Sequence, residues 1–147
     1  LAPNSKFHSV EELKLVRGFE GQKYLQIADY VSAAPTSDSK VNVNTASAML
    51  LASLDPKLDV NAVQQVLQQR QANLEYFSNI NDLWAIEPFA QVNTDVRNEV
   101  NDLLGVQSSY FKARIEVLLS ERKRQFSSDL GRKDKIVYVA YRSMAPF

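Results

Sequence analysis

The sequence predicts an α+β protein, with a helical domain over residues 1–107 followed by an antiparallel three-stranded sheet over 108–147. Three observations carry this reading. Up to residue 107, apolar residues recur at helical spacing behind Ser, Asn and Asp residues that suit helix starts. From residue 108 the period changes from 3.6 to 2. Charge divides at the same place. Residues 108–147 carry nine Lys/Arg against four Asp/Glu, a net +5, so the preceding region, in a chain balanced at 17 and 17, is net −5.

In chain order, Ser9 is placed as an N-cap, with Glu12 three residues later completing a capping box. Val10, Leu13 and Val16 then share a face, and Gly18 suits a left-handed stop. A second helix is placed from about Glu20, with Tyr24, Ile27, Ala28 and Val31 at helical spacing. Pro35 to Ser39 is a polar loop. Thr45 or Asn44 is placed as the cap of a helix carrying Met49, Leu50 and Leu54, broken at Asp55-Pro56. Asp59 opens a longer helix with Val63, Val66 and Leu67 on one face and glutamines on the other. The opening pattern of Phe7-His8-Ser9-Val10 returns at Phe77-Ser78-Asn79-Ile80, where Ser78 or Asn79 caps a helix stopped by Glu87-Pro88. A last helix runs from Asn93-Thr94 through Val96, Val100 and Leu104 and closes at Gly105. The plainest role for Phe7, Val10, Leu13, Val16, Phe77, Ile80, Leu83 and Ile86 is core.

In the strand region, Phe111, Ala113, Ile115, Val117 and Leu119 alternate with Lys112, Arg114 and Glu116. Turns are placed at Glu121–Lys123 and Gly131–Asp134, with a weaker strand between them. Ile136 to Tyr141 is apolar on both faces and reads as the central strand. Three strands cannot bury an apolar face alone, so another element must cover it.

Sites of chemistry are sparse. The chain has no cysteine, which removes disulfides, thiol catalysis and thiolate metal sites. Its one histidine, His8, stands at a helix start, and the four glycines form no phosphate-cradling motif. Acid pairs such as Glu11-Glu12 and Asp55/Asp59 fall where the helix dipole favours them. No catalytic residue and no cofactor is expected. Asp38, Asp55 and Asp59 could supply oxygen ligands to calcium, although no loop has regular ligand spacing, and the metal status stays open. No signal peptide or membrane-length apolar run is visible, and Leu1 in place of Met suggests a fragment or processed form whose upstream anchor is missing.

The short helices resemble helix-hairpin-helix and SAM-like units, and Val41-Asn42-Val43-Asn44-Thr45-Ala46 resembles the openings of such helices. Many of these units grip DNA phosphates through hairpin glycines. Those glycines are mostly missing here, and the acidic balance of 1–107 opposes phosphate contact. Four motifs in order are more specific: Ser9 to Gly18, Val41 to Ala46, Phe77 to Leu83 and Ser109 to Val117. Together they resemble the minor pseudopilin K family of the bacterial type II secretion system. The resemblance implies a pilin-type sheet whose face of Phe111, Ile115 and Val117 packs on an N-terminal helix absent from these residues. It implies no enzymatic role, a periplasmic location with an inner-membrane anchor, and a place at the pseudopilus tip with minor pseudopilins I and J. It also implies contact with secreted substrates or the secretin, and no nucleic acid. Interfaces are expected on the strand side, with Asn42 and Asn44 structural. The alternative is a helix-hairpin-helix DNA-binding protein of a competence or pilus-like system.

Overall fold

The computed structural model describes residues 7, 9–33 and 40–144, the side chain of Met144 excepted. His8, Asp38 and the loop from Pro35 to Ser39 lie outside the described residues. The chain divides into two compact units, Leu1–Asp38 and Ser39–Phe147. The boundary read from composition falls between 107 and 108, inside the second unit.

The first unit holds a 3-10 helix over Val10–Leu15 and helix α1 over Gln22–Ile27. Ser9 donates its backbone N–H to Glu12 Oε1 at 3.1 Å, the reach-back half of a capping box. Gly18 and Gly21 both take positive φ, +95° and +58°, where a side chain would be strained. Tyr24 is the buried residue of α1, and Lys14 Nζ lies 4.4 Å from its ring centroid. The expected core at this end does not form. Phe7 is 49% exposed and Val16 36%, and no residue of the 3-10 helix is buried. Six residues of 3-10 geometry stack side chains at i and i+3 but offer too narrow a stripe to close a core.

The second unit contains β1 (Val41–Asn42), α2 (Ala48–Ala52), α3 (Val60–Ala72), α4 (Ile80–Trp84), α5 (Thr94–Asn101), β2 (Leu104–Gly105), β3 (Tyr110–Leu119), β4 (Arg122–Lys133) and β5 (Ile136–Met144). Its core gathers Val43, Leu51, Val63, Leu83 and Phe89, all fully buried, with Phe77, Trp84, Val92 and Leu104 around them. The second copy of the repeated pattern thus does what the first does not. Phe77 and Leu83 are core, and Ile80 and Ile86 pack against it.

Three caps explain the helix starts. Ser47 Oγ accepts the N–H of Leu50 at 3.3 Å, Asp59 Oδ1 that of Ala62 at 2.9 Å, and Asn79 Oδ1 that of Asp82 at 3.2 Å. Asp82 answers by accepting the N–H groups of Ser78 and Asn79. The Asn79 backbone bond is the main cause that holds the Asp82 carboxyl below its ordinary range. At α2 the sequence-based placement needs correcting. The cap is Ser47, not Thr45 or Asn44, because Val43 to Ala46 form a turn first, with Ala46 N–H bonded to Asn42 O at 2.9 Å. Helix α3 ends in a double turn closed by Leu74 N–H to Gln71 O at 3.1 Å and Glu75 N–H to Arg70 O at 2.8 Å. Leu74 holds the left-handed position, φ 57°, that glycine usually fills.

Two short strands were not foreseen. β1 pairs in parallel with β2, Val41 with Leu104 and Asn42 with Gly105. Leu104 and Gly105 are therefore strand, and α5 stops at Asn101. Further on, β3, β4 and β5 form an antiparallel meander in that order. The two-residue connections 120–121 and 134–135 carry positive φ at Ser120 and Asp134, both 55°, which matches strand twist across a tight hairpin. Successive tight hairpins leave the middle place to β4. Ile136 to Tyr141 therefore lies on an edge, not at the centre, despite its apolar composition.

Candidate functional site

Asn42 and Asn44 occupy the turn after β1, and both act as structural brackets. Asn42 Oδ1 accepts the Asn44 N–H at 3.0 Å, and Asn42 Nδ2 donates to Ser108 Oγ at 3.0 Å. The Asn44 amide is fully used. Its Oδ1 accepts the Phe77 N–H at 2.7 Å, and its Nδ2 donates to the carbonyls of Phe77 and Val106, both at 3.1 Å. One side chain thus ties three distant pieces of backbone, and no strand ladder is needed there. Thr45 is exposed, and its hydroxyl lies 3.4 Å from Asn42 O, too long for a strong O–H···O bond.

Beside this bracket runs an open groove of about 490 Å³, lined by Asn44 to Ala48, Gln64, Gln68, Arg70, Gln71, Tyr76 and Phe77 among others. Arg70 crosses it, with Cζ 4.1 Å from the Phe77 ring centroid and Nη1 3.6 Å from Glu75 Oε2. Its Nε is buried without an acceptor. The lining is amides, hydroxyls and one stacked cation. It has no paired acid and base and no histidine beside a hydroxyl, so the groove binds surfaces better than it moves protons.

The acids considered for calcium serve the backbone. Buried Asp55 accepts the Lys57 N–H at 2.8 Å, and Asp59 caps α3. Among the described residues, no group of three or more His, Cys, Asp or Glu is placed to hold a metal ion. None of the described helices is long and apolar enough to cross a membrane.

The sheet is the other exposed feature. Its pairing register assigns each side chain to a face. One face carries Phe111, Ala113, Ile115, Val117 and Leu119 from β3, with Phe126 and Leu130 from β4 and Val137 and Val139 from β5. Phe111, Ile115, Val117, Leu119, Val137 and Val139 are all exposed. Such a contiguous apolar patch marks an interaction site. The opposite face is polar. Lys123 Nζ meets Glu116 Oε2 at 2.8 Å, and this bond, then one from Gln125, holds the Glu116 carboxyl below its ordinary range. Lys112 approaches Asp129 at 3.9 Å. Partial burial, followed by the bond with Asp129, pushes the Tyr110 phenol up to about 12. Ser109 O accepts the Arg132 N–H at 2.7 Å, fixing the helical region's exit to β4.

Comparison with known proteins places this geometry. The family model described as type II secretion system (T2SS), protein K matches residues 41–107, from β1 through the segment after β2. Type II secretion system protein K of Dickeya chrysanthemi is 28% identical across 97% of this chain and 42% of that protein. The Pseudomonas aeruginosa protein K is 30% identical across 97% of this chain and 40% of its own length. The chain therefore spans about two fifths of the curated relatives it matches. In fold it resembles a chain of the GspK-GspI-GspJ complex from enterotoxigenic Escherichia coli, with a TM-score of 0.80 at 22% identity, covering 98% of this chain and 50% of that one. The motif order, the helical body and the closing sheet agree: over residues 41–107 the chain belongs to the type II secretion system protein K family.

Proposed function

We propose that this chain is the periplasmic part of a minor pseudopilin K, a non-enzymatic subunit at the tip of the type II secretion pseudopilus. There it joins minor pseudopilins I and J, helps start assembly and aids export of folded proteins. A helix anchored in the inner membrane packs on the sheet, and the helical body, too bulky to stack another subunit above, meets secreted substrates or the secretin. The observation that carries this reading is the bare apolar sheet face beside a helical body of the protein K family. A sheet in that state needs a helix or a neighbouring subunit to cover it. The fold likeness to a chain crystallised with GspI and GspJ supports the same partners. Calcium stays a proposal for which Asp55 and Asp59 offer little, since both are already engaged.

The test is to mix this chain with the soluble domains of minor pseudopilins I and J and weigh the product by size-exclusion chromatography with light scattering. A ternary complex of defined mass is expected. No association, together with salt-sensitive retention of duplex DNA, would move the helical units to nucleic-acid binding.

A further inference from the structure

The register of the meander sorts charge as well as apolarity. Arg122 and Arg124 stand on the apolar face, opposite Leu119 and Val117. Arg132 stands at the other end of that face, opposite Val137, and Arg142 stands between, opposite Ser128. Arg142 Nε donates to Ser128 Oγ at 3.3 Å, and Arg132 lies 5.9 Å from the Phe111 ring centroid, so both keep to this side. No Asp or Glu of the described strands shares the face. Glu116 and Asp129 project from the opposite one, where Lys123 and Lys112 meet them, and Glu121 and Asp134 sit in the hairpin connections. The apolar face is thus a strip with arginines at both ends and along the β5 side, and it contains no acid of its own.

We infer that this face is covered by an amphipathic helix that brings carboxylates to those arginines. From Phe111 to Leu119 the strip is roughly 27 Å long at the usual strand rise, which a helix of roughly eighteen residues spans. Residues i, i+3, i+4 and i+7 of that helix fill the strip, and Glu or Asp on its flanks meet Arg122 and Arg124 at one end and Arg132 at the other. Apolar association alone would be indifferent to those flanks. Arginine supplies the selectivity, because its planar fork binds carboxylates in two parallel hydrogen bonds. A bilayer surface fits the pattern less well. At a membrane the cations collect along one rim at headgroup level with the apolar side chains beyond them, whereas here the apolar strip lies between two cationic ends. The inference rests on the proposed pseudopilin role, and adds to it the charge that the covering helix must carry.

The experiment uses this chain and two synthetic helical peptides with the same apolar stripe, one flanked by Glu and the other by Lys. Binding is followed by isothermal titration calorimetry at low salt. The Glu peptide is expected to bind about tenfold more tightly, the scale of two exposed ion pairs gained instead of repelled. The double variant Arg122→Glu/Arg124→Glu is expected to reverse the order, and Arg122→Gln/Arg124→Gln to abolish the difference if the reversal unfolds the sheet. Equal binding of the two peptides, or binding of neither, overturns the inference. So does sedimentation with phosphatidylglycerol vesicles in the absence of peptide preference, which would make the occupant a membrane. Association with pseudopilins I and J is scored separately. If it persists while peptide preference is lost, the charge assignment fails and the pseudopilin reading stands.

Discussion

Asn44 is where a single atom exchange should tell most. Its side chain holds both backbone groups of Phe77, a buried residue, and the carbonyl of Val106. Asn44→Ala removes three hydrogen bonds, each contributing about 1 kcal/mol, and leaves the Phe77 N–H without its acceptor. The site is half-buried, so water recovers part of the loss. The expected net cost is about 2–4 kcal/mol, read by urea unfolding as a lower midpoint at unchanged slope. Asn44→Asp is the sharper test. It preserves shape and the acceptor for Phe77, but its second oxygen faces two carbonyl acceptors and has nothing to donate. It should cost at least as much as alanine at neutral pH. It should recover part of the loss below pH ~4, the ordinary carboxylate range, where protonation restores one donor. An alanine variant within about 1 kcal/mol of the parent, or an aspartate variant as stable as the parent, would refute the bracket.

Further outcomes follow from the same geometry. Ser47→Ala should cost about 1 kcal/mol as the true cap of α2, and Thr45→Ala less than about 0.5 kcal/mol, compared by thermal melts. Leu74→Gly should stabilise by about 0.5–1 kcal/mol in chemical unfolding. The residue is 75% exposed, and glycine relieves its left-handed backbone without loss of packing. Tyr110 titrates above an ordinary tyrosine, so the unfolded chain loses that proton first. Its contribution to stability is complete below pH 10.0 and lost as pH rises toward about 12. The stability difference between parent and Tyr110→Phe should shrink across that interval, and a constant difference would count against the Asp129 contact.

Element types were legible where the sequence signal is local. The caps at Asp59 and Asn79, the change to period 2 after Ser109, and the α+β class all rest on residues within a few positions of one another. The order of four motifs pointed to the family that the comparison then supplied. What stayed hidden depends on distant pairing. Two-residue strands such as Val41–Asn42 and Leu104–Gly105 have no periodicity to read. The place of β5 is set by turn length, and its apolar run pointed to the centre instead of the edge. The first Phe-Ser-Val pattern looks like the second, yet only the second has a hydrophobic neighbourhood to enter. The Arg70 groove gave no signal because Phe77 and Arg70 belong to different elements.

The parallel pairing of Val41 with Leu104 has a consequence for how such a body could have been acquired. The chain departs into the helices and returns at adjacent points, and the Asn44 amide fastens the two ends across 62 residues. Holding the ends of a long loop together costs only slowly more as the loop grows. A host fold could therefore have accepted the whole helical body at a single surface position, much as a plug fits a socket. Lineages could enlarge, trim or exchange it there while the strands that follow keep their own pairing.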